Sequence, residues 1–358
     1  MMAIAKDSKL IEPEETRRIL IINFGGIGDL LLSIPALKAL KRLYSRTEID
    51  VLTVPHVFEL VKELPFVDKV FTLSFEHKLS TMLENLNKLL AFRKSQFDIA
   101  INMRTIVSRW SALKLEILLN IINPKLKLGR DTDGRGYFFD IKIPETLKGE
   151  RYEMEYDIDT VKALGVKVID RNIDFKVDDK SAEHIDEILK NRGIFKDDLV
   201  VSIHPGGKPS HRWPIENFSK VIDKISKEIK CKFVITGSKD EIDLANELKD
   251  ITNQEVIVIA GETGLKELFA LIKRCNLFIS NDTGLIHIAA LLETPLVAIF
   301  GAGDVIRFDP RNISDKVTVL YKKVDCSPCN KITCDSMKCL TAISPEEVIE
   351  ASLKLLGR

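Results

Sequence analysis

The chain has 358 residues, 53 Lys+Arg balanced by 53 Asp+Glu, 45% hydrophobic and 30% charged residues. A formal charge of zero gives no global field for nucleic acid, and no apolar run approaches the roughly 18 residues a membrane helix needs. The length exceeds one ordinary core and implies two domains, while Met1–Arg18 is mixed and charged with no apolar stretch like a signal peptide, so a cytoplasmic protein is expected.

Arg18–Phe24 is a continuous apolar run, the mark of a parallel strand covered on both faces. Gly25-Gly26-Ile27-Gly28-Asp29 follows at once, then a helix to about Tyr44, with Pro35 near its start or kinking it. Strands are expected again at Ile49–Val54, Lys69–Leu73 and Asp98–Asn102, with a helix at Leu79–Arg93. This alternation predicts a doubly wound parallel sheet. From Arg104 to Arg135 the text turns basic (Arg104, Arg109, Lys114, Lys125, Lys127, Arg130, Arg135), and Asp131–Gly136 reads as a polar loop.

A helix around Tyr152–Leu164 stops at Gly165, and Val166–Lys180 reads as the connection between domains. The rhythm then restarts. Strands fit Leu199–His204, Lys232–Thr236, Val256–Ile259, Leu277–Ser280 and Pro295–Phe300; helices fit Ile215–Ile229, Asp240–Asp250, Leu265–Arg274 and Leu285–Leu292. The second half is therefore another Rossmann-like sheet. Its polar turns all fall at strand carboxyl ends, where open α/β sheets bind ligands. The last helix, Pro345–Leu356, belongs to neither sheet by order.

Four turns carry the chemistry. Asn281-Asp282-Thr283-Gly284 places free backbone N–H groups and a helix N-terminus at a strand's end, a setting that favours anions; Asp282 or Thr283 as a simple cap is the alternative. His287 lies one turn further, either facing the ligand end or packed in the core. The loop His204–Pro214 gathers Gly206, Lys208, His211 and Arg212, with Pro214 suited to the first helical position. Gly237 and Ser238 form a third such turn, with Glu241 one turn into its helix. In the first half, FGGIGD departs from the dinucleotide fingerprint, since Leu31 stands where the third glycine belongs. The glycines instead leave Asp29 projecting over the sheet edge as a general base or as a helix cap.

The blocks FGGIGDLLLSIPALKALK, HPGGKPSHRWPIENF, VITGSKDE and SNDTGLIHIAALLETPLVAIFG, in this order, resemble glycosyltransferase family 9, the ADP-heptose:lipopolysaccharide heptosyltransferases. The resemblance covers most of the chain from Arg18 onward. It implies a GT-B fold of two Rossmann-like domains facing across a cleft: an acceptor domain over 1–175, a nucleotide-sugar domain over 176–343, and a final helix, 344–358, crossing back to the first. It further implies an inverting, metal-independent reaction without a cofactor. Asp29 matches the family's base, and Asp282, Thr283, Gly284 and His287 match its donor block. Before Trp213 the family carries a lysine where this chain has His211, so Arg212 or Lys208 is left to supply the charge.

The expected reaction moves a heptose from ADP-heptose to a lipid-linked, anionic lipopolysaccharide acceptor, with peripheral contact to the cytoplasmic face of the inner membrane. Gly26, Gly28, Arg104, Arg109, Arg130 and Arg135 are the candidate acceptor contacts, since arginine recognises phosphates and carboxylates bidentately. A nucleotide-sugar epimerase of the same architecture, a transferase using another nucleotide-sugar, and a binding module without chemistry are the rivals. Cys326, Cys329, Cys334 and Cys339 also resemble C-terminal cysteines of the family; zinc, free thiols and a local disulfide all remain open for them.

Overall fold

The computed structural model describes residues 11–74, 85, 88–89, 92–329 and 331–358, so most of the helix expected at Leu79–Arg93 lies outside the described residues. The chain divides into two units, Met1–Ile173 and Asp174–Arg358.

The first unit runs β1 (Arg18–Ile22), α1 (Ile27–Leu43), β2 (Glu48–Thr53), α2 (Phe58–Lys62), β3 (Lys69–Thr72), β4 (Ile99–Asn102), α3 (Arg109–Ile122), β5 (Leu126–Thr132), β6 (Ile141–Glu145) and α4 (Glu153–Lys162). The strands form one parallel sheet in the order β3-β2-β1-β4-β5-β6. Central strands β1 and β4 are apolar on both faces because helices cover both sides of the sheet. Leu20, Ile22 and Ala100 pack under Leu115, Leu118, Leu119 and Ile122 of α3. Each such side chain removed from water contributes about 1.5–3 kcal/mol. Helix α1 is buried along most of its length and carries Pro35 in its interior rather than near its start.

β5 and β6 were not anticipated from the sequence. In Leu126–Thr132 the residues Lys127 and Asp131 point partly outward while Leu128, Arg130 and Thr132 point inward. A stretch read as a basic surface leading to a loop is thus a strand with an arginine in the interior.

The second unit runs α5 (Asp179–Asn191), β7 (Val200–His204), α6 (Ile215–Glu228), β8 (Lys232–Ile235), α7 (Ile242–Ile251), β9 (Val256–Val258), α8 (Leu265–Arg274), β10 (Leu277–Asn281), α9 (Gly284–Leu291), β11 (Leu296–Phe300), β12 (Val317–Tyr321), α10 (Lys338–Thr341) and α11 (Pro345–Leu355). Its parallel order is β12-β11-β10-β7-β8-β9. Counted from β7, this is the arrangement of the first sheet again, with β12, unanticipated from the sequence, standing where β6 stands in the first. The terminal helix α11 starts with a reciprocal cap between Ser344 and Glu347. Its Val348 and Ala351 join the second core with Phe218, Trp213 and Ile343.

Among the described residues no helix is long and apolar enough to cross a membrane.

Candidate active site

In both sheets the strand order reverses beside the first strand, between β1 and β4 and between β7 and β10. The loops on either side of such a point diverge and open a crevice at the strands' carboxyl ends. Both crevices are braced by a buried asparagine. Asn23 accepts from the Gly25 N–H at 2.9 Å and donates to Ser33 Oγ at 3.0 Å. Asn281 accepts from the Trp213 N–H at 3.0 Å and donates to the carbonyls of Pro205 and Gly206 at 2.8 and 3.0 Å.

At the first crevice Asp29 is the third residue of α1. Its Oδ2 accepts from the Gly26 N–H at 2.8 Å and closes a capping box, so the helix-capping alternative holds for that oxygen. Its other oxygen faces the guanidinium of Arg104. Gly25 is required here, since a Cβ on it would lie 2.5 Å from the Cβ of Asp29. The Asp29 side chain keeps 17% of its surface open to solvent. Gly28 is buried in the helix's first turn, and Gly26 is partly open.

Behind Asp29 lies a charged network that the sequence did not announce. Arg104 Nη1 also meets Glu153 Oε1 at 3.2 Å. Arg130, wholly buried, bonds Glu153 at 2.7 Å, Glu145 at 3.2 Å and Asp157 at 2.5 Å. Asp157 takes the Ser33 hydroxyl at 2.7 Å, and that hydroxyl lies 2.9 Å from the carbonyl of Asp29. Burial pushes the Asp157 carboxyl up; Arg130 pulls it down and the charge of Glu153 pushes it up again. Burial alone would lower the pKa of Arg130, but Asp157, Glu153 and Glu145 hold it firmly charged.

The proposed acceptor patch must therefore be corrected. Arg130 has no exposed surface to offer a ligand. Arg135 is turned onto the carbonyls of Ile106 and Thr132 and the Asp133 carboxylate, where it braces its own turn. Arg104 reaches the crevice through Asp29, and Arg109 is exposed at the start of α3. Glu153, Asp157 and Ser33 were missed because burial, which gives them their role, has no local sequence signal.

At the second crevice Glu241 ties two loops together. Its Oε1 accepts from the Gly207 N–H at 2.7 Å and its Oε2 from the Ser238 N–H at 2.8 Å and hydroxyl at 3.0 Å. Burial would raise its pKa, but these N–H groups bring it below the usual range. A Cβ on Gly206 would sit 2.3 Å from Glu241 Oε1 and would displace that carboxylate from its N–H partners, while Gly207, with a φ of +110°, adopts a backbone that favours glycine. Gly237 lies against the same helix turn, close to the Glu241 Cβ.

Arg212 folds back, its Nε donating to the Gly207 carbonyl at 2.8 Å and its Nη2 lying 3.8 Å from Glu241. Lys208 is exposed on the same loop and forms no ion pair with a described residue. His211 is buried, bonded to Ser210 and 3.7 Å from Asp282. Burial, aided by the charge of Lys208, lowers its pKa to about 4, so it is neutral at pH 7. Trp213 enters the core, its indole N–H on the Ile343 carbonyl, and Pro214 is the cap rather than the first residue of α6.

Thr283 caps α9 through the Leu285 N–H, beside the partly open Asp282 and Gly284. Gly303 abuts the Asp282 carboxylate so closely that a Cβ could not fit. His287 is buried edge-on to Phe308, which favours its reading as a core residue.

The four clustered cysteines are unpaired thiols, Cys326 exposed and Cys339 buried. Among the described residues no group of three or more His, Cys, Asp or Glu is placed to hold a metal.

Two Rossmann-like parallel sheets of one strand order have the architecture of the GT-B glycosyltransferases, and the protein is an enzyme of that class. The family profile "Glycosyltransferase family 9 (heptosyltransferase)" matches residues 89–340, and the chain belongs to that family. It is similar to a lipopolysaccharide heptosyltransferase 3 of Escherichia coli, 28% identical over 294 residues that cover 79% of this chain and 83% of that protein. A lipooligosaccharide heptosyltransferase 2 of Campylobacter jejuni is 26% identical over 339 residues, 92% of this chain and 95% of that one. The solved Escherichia coli ADP-heptose lipopolysaccharide heptosyltransferase II shares the fold, with a TM-score of 0.71 at 21% identity over 95% of this chain and 98% of that one.

Proposed function

We propose that the protein transfers a heptose from ADP-heptose to a lipopolysaccharide inner-core acceptor, with inversion and without a metal. The first unit binds the acceptor and the second the nucleotide-sugar. The observation that carries this reading is the contrast between the crevices: one presents an oriented carboxylate, the other presents backbone N–H groups and a lysine. The relatives named for lipopolysaccharide and lipooligosaccharide support the choice of substrate.

In this mechanism Asp29, positioned by Gly26 and Arg104, takes the proton of an acceptor hydroxyl as that oxygen attacks C1 of the heptose. The bond from C1 to the diphosphate oxygen breaks, and ADP leaves with its electron pair. The N-terminus of α9, the Thr283 and Gly284 N–H groups and Lys208 stabilise the diphosphate in place of a metal. Lys208 supplies the charge that His211 does not, while Arg212 chiefly holds the loop. Contact with the inner membrane would follow from a lipid-linked acceptor.

The test is turnover of ADP-heptose with purified inner-core acceptor, with and without EDTA, reading ADP release and the anomeric configuration of the product. Acceptor-dependent ADP release insensitive to EDTA, with inverted product, is expected. Release only with another nucleotide-sugar, or isomerisation of a donor without transfer, would replace this reading with one of its rivals.

A further inference from the structure

Helix α3 is apolar on two faces. Ala112, Leu115, Leu118, Leu119 and Ile122 enter the core of the first unit, as a surface helix requires. The opposite face should be polar, yet Trp110, Leu113 and Ile117 follow one another at helical spacing and are exposed by 73, 41 and 51%, and Val107, just ahead of the helix cap, is exposed by 62%. Tyr137, 57% exposed, joins the patch through its hydroxyl on Glu116. Single exposed apolar residues are ordinary, but a contiguous row marks a contact surface.

The charges beside the row select its partner. Arg109 and Lys114 are exposed on the same helix, and Lys127 reaches the helix at Asn120 with a 2.7 Å bond. Glu116, the helix's lone carboxylate, is held by Tyr137. An apolar stripe with a tryptophan, bordered by cations, is the pattern of a helix lying in a membrane interface. The site is also near the chemistry. Arg104 touches Asp29, and Val107 is three residues on, about 10 Å of extended chain.

We propose that the outer face of α3 docks on an anionic lipid bilayer, with Trp110, Leu113 and Ile117 at the boundary of headgroups and acyl chains and Arg109, Lys114 and Lys127 on lipid phosphates. This rests on the proposed lipid-linked acceptor and adds how the protein meets it: the bilayer carrying the acceptor is held beside the base.

Trp110 and Trp213 are the chain's two tryptophans, and Trp213 is 2% exposed, so Trp110 reports on the surface. With vesicles of phosphatidylethanolamine and phosphatidylglycerol, the full-length protein should co-sediment, its emission should shift to the blue, and brominated acyl chains should quench it. The triple variant Trp110→Ser, Leu113→Ser, Ile117→Ser should lose at least about tenfold in vesicle binding while transferring heptose normally to an acyl-free, soluble acceptor. Vesicle binding that survives in the variant, or a wild-type protein that stays in the supernatant with unquenched Trp110, overturns the proposal. So does a wild-type dimer that the variant dissolves, since the face then covers a second copy of the chain. Should the variant fail to fold, quenching of Trp110 in the wild type still decides. Absent transfer to both soluble and lipid-linked acceptors would instead overturn the proposed function, and leave the vesicle result standing.

Discussion

The two sheets have one strand order, and each sets a buried asparagine behind its crevice, yet they finish their carboxyl edges in opposite ways. The first edge is crowded with charged groups that pair with one another: Asp29, Glu145, Glu153 and Asp157 meet Arg104 and Arg130. The second edge is built from glycine, backbone N–H groups and a carboxylate, Glu241, that holds the loops in place. On the proposed assignment, a carboxylate that takes a proton from a neutral hydroxyl needs a fixed direction, and the Gly26 N–H and Arg104 supply it. The proposed diphosphate, which binds and then leaves, would be met by backbone dipoles and the exposed Lys208. In that proposal one topology serves two tasks, because the sheet only fixes where loops diverge and the loops set the field.

The sharpest way to break this comparison is Asp29→Asn. On the proposed assignment, transfer should slow by roughly 10²–10⁴-fold with ADP affinity unchanged, checked by steady-state kinetics and calorimetric titration. Near wild-type turnover in folded protein would remove Asp29 from the chemistry and reduce the first crevice to a helix cap.

Next comes Arg130→Met, which leaves Glu145, Glu153 and Asp157 buried without their common partner. The expected loss is ~3–5 kcal/mol of stability by urea unfolding, as for other broken buried ion pairs. A stable variant whose only defect is a raised acceptor KM would restore Arg130 to the acceptor site.

At the second crevice Lys208→Ala should weaken ADP by ~1.5–3 kcal/mol, measured as a rise in Kd, because it removes a loop cation that forms no ion pair with a described residue. Arg212→Ala should weaken it less, through the loop it braces. The reverse ranking would mean that Arg212 turns from Gly207 to the diphosphate on binding.

The smallest effect concerns pH. The folded pKa of His211, about 4, lies below its unfolded value of about 6.5, so the stability linked to its burial is complete above about pH 6.5 and lost as pH falls through about 4. Between about pH 5.5 and 8 the residue is neutral in the fold, and ADP affinity should owe nothing to its titration. An affinity that rises as pH falls toward 6 and flattens in His211→Gln would show His211 charging on the ligand. His211→Lys should leave ADP binding unchanged or tighten it.

Much of this was legible in the sequence, and the reason is local. Apolar runs such as RILII and LFISN, followed by glycine-bearing turns, read as strands covered on both faces, and those turns mark the carboxyl edge of each sheet. Those signals gave the doubly wound class, the loops at Gly206, Gly237 and Gly284, and the position of Asp29. The family blocks sit on these same turns, which is why resemblance and residue chemistry converged.

The tertiary structure alone decided where the charges go. Arg109 and Arg130 are equivalent in the sequence, each a cation in a basic stretch; a strand register turns Arg130 into the core, and a helix start leaves Arg109 in solvent. Glu153 and Asp157 carry no local mark of burial in the sequence; α4 packs beside α1 and closes them on Arg130. His211 stands where the family carries a charge and is neutral because burial disfavours its cation. The apolar face of α3 was hidden by the opposite ambiguity, since a helix rich in Leu and Ile shows which of its faces is left over only once the core has taken the other. Periodicity is a property of neighbours in sequence, whereas burial and charge pairing belong to neighbours in space.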